Sequence, residues 1–113
     1  MKEASETIKK AIGLDPTNHE IMYTYGNTLY NLETYEEAVL VYEHIIKQKP
    51  TFSNVWYDCA RSKIKLGNDN IESCISDLQK AIDLDPAYKE KARCELDFQD
   101  IKDNPNFKRI LGL

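Results

Sequence analysis

The chain has 113 residues, 42% of them hydrophobic and 30% charged, with a formal net charge of −4 and an isoelectric point near 5.2. Such numbers describe one ordinary globular domain and argue against a nucleic-acid binder, because phosphate recognition needs a dense positive face. Four glycines and four prolines are too few for a disordered chain, and the opening MKEASETIKK lacks an apolar run, so neither a secretion signal nor a membrane span is predicted.

Periodicity and punctuation predict about seven helices. The first covers about Lys2 to Ile12 and is weakened at its end by Gly13. The second covers about Asn18 to Leu32, with Thr17 or Asn18 as a side-chain cap for an orphan backbone amide. A very short turn leads to the third, about Tyr35 to Gln48. The fourth covers about Ser53 to Leu66, capped by Thr51 or Ser53. After the turn Gly67 to Asn70 come a fifth helix, about Ile71 to Asp83, and a sixth, about Tyr88 to Ile101. Asn104-Pro105 reads as cap and first residue of a seventh, about Pro105 to Leu111, whose Phe107, Ile110 and Leu111 fold back over the last open face.

These helices repeat. The octets KKAIGLDP (Lys9 to Pro16) and QKAIDLDP (Gln79 to Pro86) share six residues at an offset of 70, and a diverged copy ending in Pro50 divides that interval into 34 and 36. A period in this range is the mark of stacked helix pairs, each too small to bury its own apolar stripe. In the first unit Met22, Tyr25, Gly26, Leu29, Ala38, Tyr42, Ile45 and Pro50 fall in order on an aromatic, Leu-Gly, Tyr, Ala, aromatic, Pro pattern. In the second, Trp56, Cys59, Ala60, Lys63, Cys74, Leu78, Ala81 and Pro86 follow, with two extra residues near Gly67 to Asn70. Ala4, Ile8, Ala11 and Pro16 match the closing half of such a unit, whereas Ala92, Glu95, Leu96 and Gln99 match poorly. Trp56 is expected to be the largest buried side chain, at a cost of about 3 to 5 kcal/mol for Trp56→Ala.

On these residues the chain resembles the tetratricopeptide repeat family. The resemblance implies an all-α fold, a right-handed α-solenoid of antiparallel helix pairs forming one domain over 1–113. It divides into a half-repeat (1–16), two repeats (17–50 and 51–86) and capping helices (87–113). The string ELDFQDIKDNPNFKRIL resembles the closing segment of bacterial members, which suggests a C-terminal position in a larger scaffold protein.

Function in such a fold comes from surfaces. The resemblance implies that first helices line a concave groove, and the groove-facing slots hold Tyr23, Asn27 and Tyr30, then Tyr57, Arg61 and Lys65, then Arg93. Tyrosine and arginine are favoured interface anchors, and arginine can grip a carboxylate with two bonds, so this peptide-binding groove would suit a partner with apolar side chains and a carboxylate. The alternative is that the tyrosines pack between helices and the cations are solvated. A second functional class is self-association, a homodimer through the N-terminal helices around Ile8, Ile12 and Ile21. The clamp with which some family members hold acidic chaperone tails is not expected: Asn27 fits one slot, but Tyr23, Asp58 and Cys94 replace a lysine, an asparagine and an arginine.

No nucleophile motif, phosphate loop or metal-ligand spacing is present, so an enzyme, a cofactor and a metal are not expected. His19 and His44 lie on different predicted helices and read as solvated surface residues. Cys59, Cys74 and Cys94 read as buried free thiols of a cytoplasmic protein. The expected partner is a protein or peptide, with no nucleic acid and no membrane.

Overall fold

The computed structural model describes residues 19–112, and every regular element among them is helical. They are α1 (His19–Asn31), α2 (Tyr35–Gln48), α3 (Ser53–Lys65), α4 (Ile71–Leu84), α5 (Ala87–Cys94) and α6 (Pro105–Leu111). Short 3₁₀ segments stand at Asn68–Asn70 and Leu96–Ile101. The expected leading helix, the cap at Thr17 or Asn18, and the dimer residues Ile8 and Ile12 lie outside the described residues.

Each helix packs on its neighbour in the chain, α1 on α2, α2 on α3 and α3 on α4, as in a solenoid of helix pairs. The period is visible in the element ends. His19 and Asn31 bound α1, and Ser53 and Lys65, each 34 residues on, bound α3. Tyr35 and Ile71, which open α2 and α4, are 36 apart, so the two extra residues fall in the turn between α3 and α4. The turn after α1 closes through Glu33, in the left-handed region at φ 64°, with the Thr34 amide bonded to Leu29 O at 3.0 Å. One period later the same slot is Gly67, at φ 113°.

The apolar faces make two linked cores. Met22, Leu29, Ala38, Val41, Tyr42, Ile45 and Val55 fill the first, and Ala60, Cys74, Leu78, Ala81, Phe98, Phe107 and Leu111 the second. Gly26 is a close-approach point, because a Cβ there would stand 2.7 Å from the buried ring of Tyr42. Asn104 caps α6 as expected, its Oδ1 accepting from the amides of Asn106 and Phe107 at 2.9 and 3.2 Å.

Several expectations are corrected. Trp56 is only partly buried, its indole N–H donating to Pro50 O at 2.9 Å, and Tyr42 and Phe98 are the largest fully buried side chains. Phe52 occupies the cap position of α3, and no side chain caps it. The predicted helix from Tyr88 to Ile101 breaks at Glu95, where ψ is 121°. The break has a packing reason: it rotates Phe98 and Ile101 into the core and leaves Leu96, assigned to a packing slot by register, 76% exposed. Cys59 and Cys74 are buried, but Cys94 is exposed. His19 and His44 are joined through Gln48, each imidazole Nε2 lying 3.0 Å from its side-chain amide.

Candidate functional site: the wall formed by α1, α3 and α5

Side chains three and four apart share a helical face, and this places Tyr23, Asn27 and Tyr30 of α1 beside Tyr57, Arg61 and Lys65 of α3. Two hollows flank Arg61. The larger, about 390 Å³, is lined by Tyr23, Asn54, Tyr57, Arg61, Tyr88 and Lys91 among others. The smaller, about 330 Å³, is lined by Tyr23, Asn27, Tyr30, Asn31, Tyr42, Asp58 and Arg61. Tyr23, Asp58 and Arg61 border both.

A polar network runs along this wall. The Tyr23 hydroxyl donates to Asp58 and the Tyr30 hydroxyl to Asp97. Arg61 Nε lies 3.0 Å from Asp97 Oδ2 and 3.1 Å from Glu95 Oε1, and its Nη1 lies 3.3 Å from Asp58 Oδ1. Its Nη2 donates to the Tyr30 hydroxyl at 3.1 Å while the guanidinium sits 4.7 Å from the centre of the Tyr30 ring. Lys65 Nζ reaches Asp97 Oδ1 at 2.9 Å from the edge of the wall. Asn27 accepts from the Tyr42 hydroxyl at 2.5 Å.

Burial, followed by the neighbouring carboxylates, raises the hydroxyls of Tyr23, Tyr30 and Tyr57 well above the ordinary tyrosine value, so near neutral pH all three are donors. Burial also raises the Asp58 carboxyl against the pull of Tyr23 and Arg61. At Asp97 burial acts in the same direction, but Tyr30, Lys65 and Arg61 together prevail and hold its carboxyl below the ordinary 3.8.

Two residues of the expected set stand apart. Tyr57 is only 6% exposed, its ring 4.8 Å from that of Tyr88 and 5.9 Å from that of Phe98, so it belongs mainly to the core although it borders the larger hollow. Arg93 turns away, donating to Glu90 at 2.6 Å and to Leu111 O at 2.7 Å, and so ties α5 to the end of α6. Lys91 takes its place beside the larger hollow. The wall also holds the carboxylates Glu95 and Asp97, absent from the expected set, and Asp58, expected only as a misfit in the chaperone-tail clamp. The spacing of three between Asp58 and Arg61 marks them as a facing pair on one helix. Asp97 is legible in the same way, four residues after Arg93 and 36 after Arg61, whereas Glu95 is not, because a continuous helix through it would aim it at the packing face.

A tetratricopeptide repeat model matches residues 19–52 and 55–88, more than half of the chain. The chain belongs to the tetratricopeptide repeat family. No curated protein matches it. Tetratricopeptide repeats generally mediate protein–protein interaction, and this one carries the associated two-helix unit twice in tandem. No helix among the described residues is long and apolar enough to cross a membrane.

Proposed function

We propose that this chain is a protein-binding module that holds an extended or helical peptide along the wall of α1, α3 and α5. One observation carries the reading. The apolar faces of α1 and α3 are committed to the core, yet their opposite faces border two open hollows that share Tyr23, Asp58 and Arg61. Aromatic rings beside fixed donors and acceptors suit a peptide with apolar side chains and a carboxylate, and the aromatic and arginine groups would supply most of the binding energy. Two buried free thiols, Cys59 and Cys74, support a reducing, cytoplasmic setting.

The test is a displayed random-peptide library sorted on the native protein. Enriched peptides should lose about tenfold or more in affinity on Tyr23→Ala and on Arg61→Gln, with helicity retained in both variants. Peptides indifferent to both substitutions would place the binding surface elsewhere.

A further inference from the structure

Two cations of the wall, Arg61 and Lys65, are already paired with carboxylates. Asp97 receives the Tyr30 hydroxyl and Arg61 Nε on one oxygen and Lys65 Nζ on the other. Glu95 and Asp58 complete the surroundings of Arg61. Three donors that could grip a partner's carboxylate are therefore holding one of the chain's own. It comes from the one place where the third wall element leaves the helix. Glu95 is extended, Leu96 is 76% exposed, and Leu96–Ile101 is a 3₁₀ segment with poorer hydrogen-bond geometry than an α-helix. Phe98 and Ile101, 1% and 3% exposed, anchor that segment. The side chain of Asp97 can thus leave its seat while the backbone beyond it stays docked.

We propose that Asp97 is a latch, an internal stand-in for a ligand carboxylate, which an acidic side chain of the partner must displace before Arg61 can swing and let the two hollows join. The inference rests on the peptide-binding reading above. Charge balance agrees with it. Asp58, Glu95 and Asp97 stand against Arg61, Lys65 and Lys91, three against three, so the closed wall has no net attraction for an anionic peptide. Removal of the Asp97 charge leaves one cation unmatched.

The experiment uses a fluorescein-labelled octapeptide of alternating leucine and aspartate, titrated by fluorescence anisotropy into the full chain. Asp97→Asn should bind about tenfold more tightly than the native protein, equivalent to about 1.4 kcal/mol. Adding Arg61→Gln to Asp97→Asn should remove the gain. Equal affinity of native and Asp97→Asn, with both weakened by Arg61→Gln, overturns the latch and leaves the groove standing. No binding to any of them overturns both. Circular dichroism checks the fold, and Asp97→Ser carries the same comparison if Asn at this position lowers helicity.

Discussion

Tyr57→Ala separates packing from binding on this wall. The residue is 6% exposed, with its ring between those of Tyr88 and Phe98 at centroid distances of 4.8 and 5.9 Å. Truncating a buried aromatic to alanine costs about 3 to 5 kcal/mol, the lost transfer energy plus the cavity left behind. For a domain this size about 1 kcal/mol moves the melting temperature by roughly 4 to 8 °C, so Tyr57→Ala should melt at least about 12 °C below the native protein. Tyr57→Phe keeps the ring and loses only a long 3.4 Å bond to Glu95, and should cost less than about 1 kcal/mol. Thermal and urea unfolding followed by circular dichroism give both numbers. Should Tyr57→Ala lie within about 1 kcal/mol of Tyr57→Phe, the ring is not a core member and the original groove assignment of this tyrosine returns.

Two further outcomes are expected. Gly26→Ala gains about 1 kcal/mol in helix propensity but drives a Cβ to 2.7 Å from a Tyr42 ring that is 1% exposed and tethered to Asn27, an overpacking cost of about 1 to 3 kcal/mol. Urea unfolding should show net destabilisation, and a more stable variant would mean that the Tyr42 ring yields. The second concerns pH. The folded-state carboxyl of Asp97 sits below the ordinary 3.8, so its contribution is present above that value and is lost as pH falls through the lower, folded one. The melting-temperature advantage of native over Asp97→Asn should therefore be constant above about pH 5 and shrink below 3.8. Burial raises Asp58 and Asp77, whose contributions run the opposite way, present at low pH and lost as pH rises through their folded values. An advantage that widens in acid would show Asp97 to be poorly paired.

Most of the fold was legible because the signals that made it are local. The 34-residue offset, the proline punctuation and the apolar spacing set α1 to α4 within a residue at each end, and the Asn104-Pro105 pair set the start of α6. What failed was tertiary in origin. Nothing between Tyr88 and Ile101 forbids helix locally, so the sequence predicts a straight helix, yet the chain turns at Glu95 and Phe98 and Ile101 are buried beyond it. That turn hides Glu95 from a sequence reading, whereas Asp97, four residues after Arg93, lies on the groove face of a straight helix as well and completes the charge balance of the wall. Trp56 is only partly buried: the aromatic slot of the pattern says which face a residue occupies, not how completely the next helix covers it.

Tyr23 and Tyr57 bring these two lessons together. They occupy the same slot one period apart, yet the first is half-buried beside Asp58 and the second is sealed. In a stack of helix pairs the burial of a slot depends on the element laid over it. Tyr57 lies under α5 and the 3₁₀ segment, which supply Tyr88 and Phe98. Tyr23 lies against α3, whose opposing residue is a carboxylate. The early end of α5 therefore has two effects at once. It brings Phe98 down onto Tyr57, removing one ring from the wall, and it brings Asp97 across to Tyr30, Arg61 and Lys65, removing the free charge. Straightening this segment would lift Phe98 from Tyr57 while keeping Asp97, four residues after Arg93, on the groove face, so a variant that shifts the break at Glu95 must change the aromatic character of the wall.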